Sequence, residues 1–196
     1  MGMRSRTETR ILDAAESLFF TQGIAATPID AITARAGVSA ATLYRGYPSK
    51  DALLAAVLNR RQQAWRTTWD AAVARHSDDE QRLLAIFDAL DDFRAEPAGS
   101  RWCAFLGASA EYANPPVEVA SAIRADTDGM RTRLAELAAP IARAGADRLA
   151  EYLLIIVSGD LAMRLREPLH TSSTARAAAA ALVSGARDGE TATHAP

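Results

Sequence analysis

The stretch Asp30-Ala-Ile-Thr-Ala-Arg-Ala-Gly37-Val-Ser-Ala-Ala-Thr-Leu-Tyr44-Arg-Gly-Tyr-Pro-Ser-Lys50-Asp-Ala-Leu53 decides the fold. It reads as two short helices around a glycine turn, followed by the start of a longer helix. Thr27 is predicted to cap the first helix, with Pro28 at its opening position, where the missing N–H costs nothing. That helix ends at Ala36, because Gly37 takes up the positive φ of a tight helix end. Ser39 then caps a helix over 40–46, and Val38 and Leu43 close over its start as a hydrophobic staple. Ile32, Val38 and Leu43 face inward, which leaves Ser39, Ala40, Thr42, Tyr44 and Arg45 outward. Two helices joined this way form the helix-turn-helix plan, which lays its second helix in the major groove. Small residues at the helix start admit close approach, and longer ones beyond reach phosphates or base edges.

Working outward, Ser5 and Glu8 make a capping box ahead of Ile11, Leu12, Ala15, Leu18 and Phe19, one apolar helical face that stops at Gly23. Arg4 and Arg6 before it read equally as a flexible DNA-tracking arm and as a solubilising terminus. Ser49 caps a long helix through Trp65 and Trp69 to about His76, and Ser77 with Glu80 opens another through Phe93. Ser100 caps a helix to Tyr112, and a helix from Val117 to Gly145 is kinked or shortened at Pro140. Two more run from Ala146 to Arg166 and from Ser173 to Ser184, where Gly185 ends the last. The expected architecture is all-α with about nine helices. It divides into a three-helix helix-turn-helix domain (1–48), a helical ligand-binding and dimerisation domain (49–186) and a disordered tail (187–196).

Composition narrows the function classes. With 196 residues, 49% hydrophobic and 23% charged, the chain buries a real core and is not a disordered polymer. The apolar run Leu149 to Leu165 carries Glu151, Asp160 and Arg164 and falls short of the roughly 20 apolar residues of a membrane span. No apolar run follows the first six residues, so no secretion signal is read, and a cytoplasmic setting is expected. Cys103 stands alone, and His76, His170 and His194 lack metal-ligand spacing, so neither metal nor cofactor is expected. Residues 1–60 hold seven Lys/Arg against five Asp/Glu, whereas the other 136 residues hold fifteen against nineteen. Of the 22 basic residues one is a lysine, Lys50, beside a helix N-cap. A positive charge there opposes the helix dipole, which is poor for stability and sensible for a phosphate.

Ala36-Gly37-Val38-Ser39, Ala41-Thr42-Leu43-Tyr44, Gly46-Tyr47 and Ser49-Lys50-Asp51 together resemble the TetR family of regulators over roughly residues 6–60. Ala41, Gly46 and Thr33 depart from the family's usual glycine, histidine and alanine, which implies a preserved fold with altered operator preference. The resemblance implies phosphate contacts by Tyr44 and Lys50, with Thr27 and Ser39 adding contacts from helix N-termini. The full candidate set for duplex DNA is Thr27, Arg35, Ser39, Ala40, Thr42, Tyr44, Arg45, Tyr47 and Lys50. Within it, Tyr47 reads more readily as packing between helices. The resemblance also implies a small-molecule effector, apolar or aromatic, against Trp65, Trp69, Phe87, Trp102, Phe105, Tyr112, Met130 and Leu134.

A homodimer is expected through Leu149, Leu153, Ile156, Gly159, Met163, Ala178, Ala181 and Leu182, because two half-sites need two recognition helices about 34 Å apart. Intramolecular packing of the last helix is the plainer reading of the same residues. Two other classes compete with a ligand-released repressor. One is a helical small-molecule binder without DNA activity. The other is a hydrolase built on Ser109, whose Gly107-Ala-Ser-Ala-Glu111 setting lacks the second glycine and the preceding strand of a nucleophile elbow.

Overall fold

The computed structural model describes residues 2–95, 103–167 and 169–193, and every regular element among them is a helix. In order these are α1 (Gly2–Gln22), α2 (Ile29–Ala36), α3 (Ala40–Gly46), α4 (Lys50–Ala74), α5 (Asp79–Ala95), α6 (Ala104–Glu111), α7 (Val117–Ala142), a 3₁₀ turn (Arg143–Gly145), α8 (Ala146–Arg166) and α9 (Ser173–Thr193). The chain forms two compact units, one of residues 1–63 with 104–125 and one of residues 64–103 with 126–196. The sequence division at residue 48 is therefore not where compactness divides the chain, and α6 belongs with the helix-turn-helix.

In the first unit α1 packs on α2, and α2 on α3. Ile11, Ala15, Leu18, Phe19, Ile24, Ile32, Leu43, Leu53, Leu54 and Leu58 are buried there. Burial of such side chains, at about 1.5–3 kcal/mol each, is what fixes two helices as short as α2 and α3, which are unstable alone. Two expected caps differ from the structure. Helix α1 begins at Gly2, so Ser5, Arg4 and Arg6 lie inside it and Ser5 is not its cap. Pro28, not Thr27, occupies the N-cap of α2, in extended conformation. Thr27 is fully buried, and its hydroxyl donates backward to the Gly23 carbonyl at 2.7 Å, which satisfies a helix-end acceptor of α1.

The second unit is built round Trp69, Leu83, Leu84, Ile86, Phe87, Leu134, Leu149, Leu153, Val157, Ala179 and Val183. Asp78 rather than Ser77 caps α5, accepting from the Gln81 N–H at 3.0 Å, since a carboxylate gains from the helix dipole as well. Pro140 stands inside α7, which stops at Ala142, short of the expected Gly145. Helix α9 runs on through Gly185 to Thr193, so most of the tail expected to be disordered is helical. A charged cluster ties α5, α8 and the start of α9 together. Arg164 contacts Asp160 at 3.2 Å, Asp91 at 3.0 Å, the Leu90 carbonyl and Ser172, and His170 Nε2 donates to Asp160 at 2.7 Å. Buried charges survive only when paired in this way.

Candidate nucleic-acid interface

The turn between α2 and α3 is closed by backbone geometry. Gly37 sits at φ +62° and ψ +43°, and its N–H and that of Val38 donate to Ala34 and Thr33 at 3.2 and 3.1 Å. The remaining acceptors are taken by a residue that local patterns do not reveal. Arg10 of α1 donates from Nε to the Ala36 carbonyl at 2.8 Å, and from Nη2 to Ala36 and to Gly37, the latter at 2.6 Å. A cation at a helix C-terminus also complements the dipole. Ser39 caps α3 as expected, its Oγ accepting from the Thr42 N–H at 3.2 Å and meeting the Thr42 hydroxyl at 2.9 Å. The glycine at position 46 does not unwind α3, whose end is closed by the Tyr47 N–H on the Leu43 carbonyl at 2.9 Å.

Arg35, Ser39, Ala40, Tyr44 and Arg45 are exposed together on this motif, and Thr42 is half-buried. Tyr44 keeps 47% of its surface exposed, unusual for a ring in so small a domain. Among the described residues, the neighbouring arginines of this unit are engaged internally. Arg10 holds the turn, Arg60 pairs with Asp13 and Glu16, and Arg61 with Glu16. Arg35 and Arg45 make no ion pair among the described residues, so their charge faces outward. Lys50 opens α4 and donates from Nζ to the Ala25 carbonyl at 3.3 Å, which holds the ammonium beside the α1–α2 connection.

Two candidates leave the set. Thr27 is buried with its hydroxyl and N–H both engaged, so it offers nothing to a phosphate. Tyr47 is half-buried and its hydroxyl points to Glu8 at 3.4 Å; burial first, then the Glu8 charge, pushes it up to about 12. Its hydroxyl partner Glu8 lies on α1. The structure adds Glu111, the last residue of α6, whose carboxylate accepts from the Ile24 and Ala25 N–H groups at 3.0 and 2.8 Å. The signal that could have found it is the one used for Lys50, a charge at the helix end its dipole disfavours.

The sequence profile described as "Bacterial regulatory proteins, tetR family" matches residues 11–57, which spans α1 to the first turns of α4. A TetR-family transcriptional regulator of Streptomyces coelicolor, SCO4454, superposes with a TM-score of 0.79 at 28% identity, covering 94% of this chain and 96% of that one. The chain carries a TetR-family DNA-binding domain at residues 11–57 and has the fold of a TetR-family regulator. A TetR-family regulator from Cytophaga hutchinsonii shares the fold at 14% identity and a TM-score of 0.80, again over 94% and 96% of the two chains. Among curated relatives, the HTH-type transcriptional activator FasR of Mycolicibacterium smegmatis is 37% identical over 98 residues, 46% of this chain and 41% of that protein. An HTH-type transcriptional regulator of Mycobacterium tuberculosis is 36% identical over 94 residues, 47% of this chain and 46% of the relative. These matches therefore span less than half the length of the curated relatives.

The effector residues expected from the sequence do not all fall together. Trp65, Trp69, Phe87, Met130 and Leu134 share the core of the second unit. Trp65 stacks at 5.7 Å on Trp69 and edge-on at 5.7 Å to Phe93, and both indole N–H groups are buried without an acceptor among the described residues. Asp126, on the same face of α7 as Met130 and Leu134, is 5% exposed. Its carboxyl is pushed up to about 7 by burial, which Arg66 partly opposes. Phe105 is buried in the first unit, and Tyr112 there donates to Asp51 at 2.6 Å, its hydroxyl raised above its ordinary range by burial and by Asp51. Trp102 lies outside the described residues.

On the expected dimer face, Leu149 and Leu153 are core residues of their own protomer, a correction the helical register explains. Ile156 and Met163 are half-buried, and Gly159, Ala178, Ala181 and Leu182 are exposed. The large apolar side chains that α8 turns outward are Tyr152, Ile155 and Leu165, of which Ile155 is 68% exposed. Ser109 donates to the Phe105 carbonyl at 2.8 Å, the ordinary bond of a helical serine. No helix among the described residues is long and apolar enough to cross a membrane.

Proposed function

We propose that this TetR-family protein is a cytoplasmic, non-enzymatic, ligand-responsive regulator that binds a near-palindromic duplex operator as a homodimer and is released by a small apolar or aromatic molecule. The observation that carries the reading is the exposed face of α3, where Tyr44 and Arg45 stand beside Arg35 with no internal partner for either arginine among the described residues. Lys50 and Tyr44 supply phosphate contacts, and Arg45 with the small Ala40 supplies base readout. Most of the affinity then comes from phosphates and falls steeply with salt.

The effector site of this reading is the second unit's aromatic cluster. Two buried indole donors without acceptors each cost about 1–3 kcal/mol, so an effector carrying an oxygen acceptor on an apolar body gains from satisfying them. Selection of genomic fragments with purified protein, followed by gel shift on the recovered duplex, tests the function. Lys50→Ala and Tyr44→Phe are expected to weaken all sequences alike, and Arg45→Ala to change relative preference. Wild-type affinity and salt slope in Lys50→Ala would remove the phosphate assignment. A reporter behind the recovered duplex reads the sign of regulation, which the name of the FasR relative leaves open.

A further inference from the structure

Two charged side chains sit at helix ends where the dipole disfavours them, and both bond to the backbone of the same residue. Lys50 is the first residue of α4 and Glu111 the last of α6, where a cation and an anion respectively meet like-signed partial charge. Between them lies Ala25. Its N–H donates to Glu111 Oε2 at 2.8 Å, and its carbonyl accepts from Lys50 Nζ at 3.3 Å. The Ile24 N–H fills the other Glu111 oxygen at 3.0 Å, so the carboxylate straddles two consecutive amides. The loop can present those amides because Gly23 turns it at φ +94°, a conformation side chains rarely adopt.

Beyond Ala25 the loop is closed by Thr27, buried and bonded back to Gly23, and it leads directly into α2. The residue after Glu111 continues the pattern. Tyr112 donates to Asp51 Oδ1 at 2.6 Å, in the first turn of α4 next to Lys50. Two consecutive residues at the end of α6 therefore hold both the entry to the helix-turn-helix and the start of the helix that bears Lys50.

We propose that Glu111 and Tyr112 are positioning residues for DNA binding, a latch that fixes the α1–α2 loop and Lys50 in the geometry that meets the operator backbone. The proposal rests on the DNA-binding reading above and adds to it the element through which that affinity is set. Neither residue touches DNA; they act through Ala25, Lys50 and Asp51. Displacement of the end of α6 frees the Ala25 backbone and with it the placement of the lysine. The stability of the three-helix head itself does not depend on the latch, because α1, α2 and α3 are joined by Arg10 and their buried apolar faces.

The test measures amide exchange and affinity for the selected duplex in full-length protein, using Glu111→Ala, Glu111→Gln, Tyr112→Phe and, as a control in the same unit, Asp13→Asn. Asp13 pairs with Arg60 and has no contact with the loop. Glu111→Ala is expected to raise exchange at Ile24 and Ala25 and to weaken the duplex about tenfold, with Glu111→Gln and Tyr112→Phe intermediate. Asp13→Asn is expected to stay within about twofold, with a melting temperature no higher than that of Glu111→Ala. Because Glu111 acts through Lys50, Glu111→Ala added to Lys50→Ala is expected to cost less than it does alone.

Wild-type affinity in Glu111→Ala and Tyr112→Phe, or unchanged exchange at Ile24 and Ala25, overturns the latch while leaving DNA binding intact. An equal affinity loss in Asp13→Asn overturns it too, since the effect then follows general stability. If the wild type retains no duplex at all, the DNA reading fails and takes the latch with it.

Discussion

Replacing Gly37 by alanine tests the turn and the unforeseen arginine together. At φ +62° an alanine loses roughly 1–2 kcal/mol to the left-handed conformation, less about 0.4–1 kcal/mol regained from a stiffer unfolded chain. The greater cost is steric and electrostatic. A Cβ at this position would stand 2.8 Å from Arg10 Nη2, closer than side-chain carbons approach such an atom. The guanidinium must move, and it carries the hydrogen bonds to the Ala36 and Gly37 carbonyls. Bonds to a charged group contribute about 1.5–3 kcal/mol, reduced here because the Gly37 bond faces solvent. The expected total is about 2 kcal/mol, read as a lower urea midpoint at unchanged slope. In an Arg10→Ala background the clash is gone, and Gly37→Ala should cost only about 1 kcal/mol, a coupling of about 1 kcal/mol in a double-mutant cycle. If Gly37→Ala unfolds within about 0.5 kcal/mol of wild type, or if the two substitutions simply add, the assigned link between α1 and the turn is wrong.

Three further outcomes follow from the second unit. The Asp126 carboxyl, pushed up to about 7, is protonated in the folded chain and ionised in the unfolded chain between about pH 4 and 7. Its burial therefore costs stability progressively as pH rises through that window. Asp126→Asn should melt like wild type near pH 4 and above it at pH 8, and equal melting at both values would refute the shift. Ile155→Arg places its charge on a side chain already 68% exposed, so the protomer should stay folded while the dimer dissociates in light scattering; an intact dimer would clear this face of that role. Trp69→Phe deletes buried ring area but also an indole donor without an acceptor among the described residues. Its cost in urea denaturation should stay below about 2 kcal/mol, and a loss of about 3 or more would mean the N–H is satisfied after all.

The parts of the fold legible in the sequence are those whose cause lies within four residues. Gly37 and Ser39 announce themselves because a positive φ and an N-cap hydroxyl act on their own turn, and both are found as read. Thr27 fails by the same logic. Its hydroxyl had two local choices, the α2 amides ahead or the α1 carbonyls behind, and the Gly23 turn decided for the latter. Register on α8 was illegible for a different reason. Apolar residues cover more than half of that helix, so periodicity marks the core and an outer face alike. Leu149 and Leu153 went to the core, while Tyr152 and Ile155 turned outward. Arg10 and Glu111 act across 26 to 27 and 86 to 87 residues, and no spacing rule reaches that far.

Lys50 and Glu111 nevertheless show how such long-range partners can be suspected. Local propensity, capping and dipole preferences normally agree along a chain, and a residue that contradicts them either costs stability without return or is offset elsewhere. Here α4 begins with a cation and α6 ends with an anion, and each reversal would be worth a few tenths of a kcal/mol or more to its own helix. Neither helix gains from the charge it carries. Both charges are bonded to the backbone of one residue, Ala25, in a loop whose glycine turn is itself strained for any other residue. The offset is therefore found outside the helices, in the geometry of the head. Had either charge been free in solvent, its placement would be an accident of composition. Because the two meet on the N–H and the C=O of one residue, Ala25, the loop between α1 and α2 is the point at which the costs of α4 and α6 are jointly offset.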